Sequence, residues 1–183
     1  MQNRRDYLLA LIRDRRDEMP TWQVGFLIHA YGDAWSHLTT DNGSVAYSAT
    51  NGHFQDSLSN STHPDLIANR PNSYREYVRN LYAALGGQGR ADDHPVLQRL
   101  LGQVQDIPQD AEREAIYLRD FVRDRYGEDF RSRGLPWAPG DHNVYDRMPS
   151  VTHAQTQSFL THVERYFAEK ARDPNVAFQP QAK

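Results

Sequence analysis

The 183-residue chain carries 21 Lys and Arg against 24 Asp and Glu, a formal net charge of −3, with eight His and no Cys. This excludes disulfide frameworks, zinc knuckles, iron–sulfur clusters and thiol nucleophiles, and also a generally basic nucleic-acid coat or a polybasic membrane anchor. The length is that of one domain with a full core, and any metal is left to His, Asp or Glu.

Mean hydropathy is −0.81. No apolar stretch approaches the roughly 20 residues of a membrane span. The opening Met-Gln-Asn-Arg-Arg-Asp is not followed by the apolar region of a secretory signal. The chain therefore reads as a polar, soluble domain with no transmembrane segment and no classical signal peptide.

Over 4–18, Leu8, Leu9, Leu11 and Ile12 form one apolar face opposite Arg and Asp residues, which predicts a helix that Pro20 ends. Thr21 is placed to cap a second helix over 22–38. The stretch 39–73 is rich in turn residues, among them Asp41-Asn42-Gly43, Asn51-Gly52 and His63-Pro64. No helix of ordinary length fits there, and a loop so long inside a small domain is more often functional than idle. A short helical turn is expected at 66–68, and 45–47 is the nearest approach to a strand.

Asn72 or Ser73 is expected to cap a third helix over 74–85, which Gly86-Gly87 stops. Pro95 opens a fourth helix, to about residue 105. Asp110 opens a fifth, to 126, with Ala115, Leu118, Phe121 and Val122 as its core face. Irregular chain is expected over 127–149. Thr152 caps a last helix to 171, with Phe159, Val163, Tyr166 and Phe167 inward. The expectation is an all-α, single-domain helical bundle over 1–171, with long irregular loops around a metal site and a mobile tail over 172–183.

The second helix carries the chemistry. Trp22, Phe26, His29, Asp33 and His37 recur at helical spacing on one face, while Val24, Leu27, Ile28, Tyr31, Trp35 and Leu38 occupy the rest. A helix apolar nearly all round is expected to be buried. A buried Asp without a partner is costly, and a metal held between His29, Asp33 and His37 removes that cost. A hydrogen-bonded core network of the same three residues is the alternative. The following loop adds His53, Asp56, His63 and Asp65. Ligation by His and Asp suits zinc, and a cluster of such ions clamps a phosphodiester and lowers the pKa of a bound water.

His29-Ala-Tyr-Gly-Asp33-Ala-Trp-Ser-His37 resembles the His-x-x-x-Asp ligand helix of the zinc-dependent phospholipase C and single-strand nuclease superfamily. Asn51-Gly52-His53-Phe54-Gln55-Asp56, then His63-Pro64-Asp65-Leu66-Ile67-Ala68-Asn69-Arg70-Pro71, then Tyr74 and Tyr77-Val78 resemble a bacterial subgroup found as C-terminal toxin domains of Rhs-type polymorphic toxins. The resemblance spans about residues 26–85. It implies an all-helical fold with zinc, one to three ions, held by His29, Asp33, His37 and His53, with Asp33 bridging. Asp65 or Asp56 would act on the attacking water, and Arg70 and His63 would receive the phosphate. Arg75 and Arg79 read instead as surface charge paired with Glu76.

The expected activity is metal-dependent phosphoester hydrolysis of the phospholipase C kind, by an antagonistic bacterial toxin delivered to a target cell. The substrate would be a phospholipid head group, or nucleic acid if the site is that of a nuclease. A cognate immunity protein, the parent Rhs polypeptide or a secretion apparatus are the partners this implies. A non-enzymatic helical binding module with a structural His/Asp network is the alternative from another class.

Overall fold

Two helices are set by proline. In the computed structural model, which describes residues 2–43, 45–47, 63–132 and 151–179, α1 (Gln2–Arg15) is separated from α2 (Thr21–Ser36) by a turn closing on Pro20. Helical backbone is disfavoured at the residue before a proline, and α1 stops three residues earlier than its charge pattern suggested. The Pro20 carbonyl accepts from the N–H groups of Gln23 and Val24, at 2.9 and 3.3 Å. Pro20 thus stands at the cap position with no side-chain cap, and Thr21, the expected cap, lies in the first turn.

α3 (Pro71–Ala84) begins with its proline at the first helical position, where the missing N–H costs nothing. It ends at Gly86, whose φ of +87° is a left-handed turn open to glycine. α4 (Pro95–Gly102) is shorter than expected and is followed by a 3₁₀ turn, Val104–Asp106. α5 (Ala111–Ser132) starts as expected, with Asp110 Oδ1 accepting the Arg113 N–H at 3.0 Å. It runs six residues past the expected end, Tyr126, into the stretch read as irregular. α6 (His153–Arg172) opens on the Thr152 capping box: Thr152 Oγ1 accepts from Gln155 N at 3.2 Å, and Gln155 Oε1 accepts from Thr152 N at 2.9 Å.

Among the described residues every extended regular element is helical, which is the all-α fold expected. The 45–47 stretch forms only an isolated antiparallel bridge, Leu38 to Ala46. No described helix is long and apolar enough to cross a membrane.

α1, α2 and α3 pack against one another, and α6 closes the core from the side of Trp22, whose ring meets Phe159 edge-on at 5.5 Å. Leu8, Leu11 and Ile12 of α1 meet Leu27, Tyr31, Ala34 and Trp35 of α2 in this core. Each large apolar side chain so buried contributes about 1.5–3 kcal/mol. α5 departs from its expected core face. Ala115 is exposed, Leu118, Phe121 and Val122 are half-buried, and Glu114 is the buried side chain there.

Residues 173–179 are the described part of the expected tail. Phe178 is 3% exposed and packs on Tyr166 and His162, at ring distances of 5.3 and 4.8 Å. The segment 173–179 therefore belongs to the folded body.

Candidate functional site

α2 buries only one face. Gln23, Leu27, Tyr31, Ala34 and Trp35, spaced at three and four, are buried, while Gly25, Phe26 and His29 are exposed. α1, α3 and α6 pack against its buried side. The His29 side chain is 76% exposed and that of Asp33 45% exposed. The expectation of a helix buried all round, with a costly interior Asp, is corrected: water reaches Asp33.

The uncovered face of α2 forms one wall of a cleft of about 230 Å³. Ile28, His29, Gly32, Asp33 and Trp35 come from α2, Ser73, Tyr74 and Tyr77 from α3, and Pro64, Asp65, Leu66, Ile67 and Arg70 from the intervening segment. Its surface is mainly apolar and aromatic, with a few polar groups converging, the usual constitution of a small-molecule site.

The candidate ligands gather as pairs. His29 Nε2 stands 3.6 Å from Asp33 Oδ2, one turn along α2. His37 lies one residue past the helix, with φ −82° and ψ 46°. It therefore leaves the face of His29 and Asp33, contrary to the continuous stripe expected from spacing. Its Nε2 instead stands 3.2 Å from Asp65 Oδ1. His63 Nδ1 lies 3.9 Å from Asp65 Oδ2 and accepts the Asp65 backbone N–H at 3.3 Å.

Imidazole and carboxylate are the donor types zinc takes, so the pairs fit the metal in kind. Among the described residues no three His, Asp or Glu side chains converge as a metal-holding group. His53 and Asp56 lie outside the described residues.

Arg70 is partly committed to the fold. Its Nη2 donates to the Leu38 carbonyl at 3.0 Å and to the Tyr47 hydroxyl at 3.2 Å, while its buried Nε has no hydrogen-bond partner among the described residues. Arg79 pairs with Glu76 as expected, at 2.8 Å, and also with Asp92 at 2.9 Å.

Burial pushes the hydroxyls of Tyr74 and Tyr77 upward; for Tyr77 the neighbouring Tyr31 and Asp33 add to the effect. Both stay neutral donors through the physiological range. Sequence reasoning missed Glu114 of α5, whose Oε2 accepts the Ile67 backbone N–H at 2.8 Å. Burial raises its carboxyl above the ordinary value, the Ile67 bond opposes this, and the charge of Asp65 adds to the rise. The signal was present: Glu114 stands four and seven residues before Leu118 and Phe121, an acid on an apolar stripe.

No family model matches the chain, and the comparisons with curated proteins and with solved structures likewise return no match.

Proposed function

We propose that the cleft hydrolyses a phosphoester, in the manner of a phospholipase C-like, metal-dependent hydrolase. The observation that carries the reading is that His29, Asp33, Asp65 and Arg70 all line one apolar cleft. With the histidine neutral, Asp33 and Asp65 against Arg70 leave the lining with a charge of 1 − 2 = −1. Such a site repels a phosphodiester unless a cation enters with it.

His29 and Asp33 are the residues that would hold that cation. A divalent metal there supplies charge neutralisation and lowers the pKa of a bound water. The chain's own groups do the rest. Ile28, Leu66 and Trp35 give the cleft an apolar wall for the non-polar part of a substrate. Asp65, oriented by His37 Nε2, is placed to take a proton from water entering the cleft. Arg70, on the cleft wall, brings a positive charge toward a phosphate oxygen.

The test is elemental mass spectrometry on protein purified without an affinity metal, for wild type and Asp33→Ala. It is paired with hydrolysis of bis(p-nitrophenyl) phosphate, phosphatidylcholine vesicles and single-stranded DNA. Zinc in the wild type, lost in Asp33→Ala with the helical signal intact and turnover lost alongside, supports the reading. The two natural substrates separate a lipase from a nuclease. Toxicity on expression in a bacterial host, abolished by Asp33→Ala, tests the antagonistic role.

The pairing of His37 with Asp65, which His63 also approaches, favours a second reading, a non-enzymatic binding module with a structural His/Asp network. A folded, zinc-supplied protein that binds no metal and cleaves none of the three substrates establishes that reading and sinks the first.

A further inference from the structure

Among the described residues Glu114 is the one acidic side chain that is buried, at 8% exposure. A buried carboxylate is costly unless its oxygens are engaged, and Glu114 spends one of them on a single distant backbone group. That group, the Ile67 N–H, lies 47 positions earlier in the chain.

Residues 63–70 are bonded mainly to themselves. Leu66 N donates to His63 O, Asn69 N to Leu66 O and Arg70 N to Ile67 O, at 3.3, 3.0 and 2.9 Å, and Asn69 Nδ2 donates to His63 O at 2.9 Å. The segment is therefore tied together as one hydrogen-bonded unit, and Ile67 opens its 3₁₀ turn, Ile67–Asn69. Asp65, Ile67 and Arg70 all face the cleft. At one end Arg70 fastens the unit to Leu38 and Tyr47, and at the front His37 meets Asp65. From behind, the Val104–Asp106 turn packs against it, and Glu114 supplies a directional bond there. Apolar packing is tolerant of sliding, whereas a hydrogen bond fixes direction and distance.

We propose that Glu114 is a positioning residue of the cleft: by holding Ile67 from behind, it sets where Asp65 stands against His37. The geometric part stands whatever the cleft does. Only the effect on turnover rests on the hydrolase reading.

The variants are Glu114→Gln, which keeps an oxygen acceptor, and Glu114→Leu, which removes it at similar volume. Three quantities are measured on the full chain: exchange protection of the Ile67 amide, the ¹⁵N signal of His37 Nε2, and turnover of bis(p-nitrophenyl) phosphate. Glu114→Leu should lower Ile67 protection about tenfold, the loss of one hydrogen bond. It should also move the His37 signal toward that of an unbonded ring, and reduce turnover. Glu114→Gln should retain all three.

An unchanged His37 signal in a folded Glu114→Leu protein overturns the proposal. So does a Glu114→Gln variant as impaired as Glu114→Leu, because the charge rather than the bond would then be what matters. If Glu114→Leu fails to fold, the wild-type Ile67 amide decides: protection supports the bond, and exchange at the rate of an exposed loop overturns it. A protein that hydrolyses nothing fails the proposed function alone, since the two spectroscopic measurements still stand or fall by themselves.

Discussion

The Asp41 carboxylate accepts the Ser73 backbone N–H at 2.8 Å, so the N-terminus of α3 is capped by a residue 32 positions away. Asp41 also accepts from Asn72 N and Asn72 Nδ2, at 3.2 and 2.9 Å, and Ser73 Oγ returns the exchange by accepting the Asn42 N–H at 2.7 Å. The local candidates Asn72 and Ser73 sit inside the first turn instead. Pro71 occupies the first helical position, which moves the cap upstream to Arg70, whose side chain makes no capping bond. The open N–H groups then recruit a carboxylate from the loop, favoured by the helix dipole.

Asp41→Ala should therefore destabilise the protein by about 1 kcal/mol, a fall in melting temperature of about 2–4 °C for a chain of this size. Asp41→Asn, which retains one acceptor oxygen, should lose less. Thermal unfolding followed by circular dichroism checks both, and equal losses would place the effect in the charge alone.

Gly32 lies inside α2 on the cleft wall, where an added methyl would meet the Tyr77 ring at 3.7 Å, an ordinary contact. Gly32→Ala should raise stability by about 0.5–1 kcal/mol, because the unfolded chain loses freedom it no longer has to surrender. It should also narrow the cleft. Chemical denaturation reads the first effect, and the Michaelis constant for any phosphoester the protein cleaves reads the second.

Phe178 tests whether the C-terminal segment belongs to the core. Beyond its ring contacts, the segment is held by Lys170 Nζ donating to Val176 O at 3.0 Å and by His162 Nε2 bonding Gln179 O at 2.6 Å. Phe178→Ala should cost about 3 kcal/mol, as for a buried aromatic. Urea unfolding would show this as a lower midpoint. A change of only a few tenths would mean that the tail contributes little in solution.

The buried carboxyl of Glu114 has a pH signature of its own. Its pKa in the folded state lies above the ordinary value of 4.5, chiefly through burial. The folded chain thus holds this proton more tightly than the unfolded chain. The stability it contributes is complete below that ordinary value and is lost as pH rises through the elevated folded value. Glu114→Gln is neutral throughout. Its melting temperature should match the wild type near pH 4 and exceed it increasingly toward neutrality. A difference that did not vary with pH would mean that folding leaves this titration unperturbed.

The all-α class, the cap at Thr152, the stop at Gly86 and the apolar faces of α1 and α6 were legible in the order of residues. Each depends on neighbours within about one helical turn, and local chemistry settles it. The cleft was legible only in part. The residues 63–70 were marked by their turn chemistry, and His29 and Asp33 by their spacing, but not the side of α2 on which water would stand. His37 reads as a continuation of the stripe until the helix ends at Ser36 and turns its ring to Asp65. Asp41 and Glu114 bond backbone groups 32 and 47 positions away. Such pairings are decided when helices pack and leave particular N–H groups without partners, so the folded chain, rather than any local pattern, selects the side chains that satisfy them.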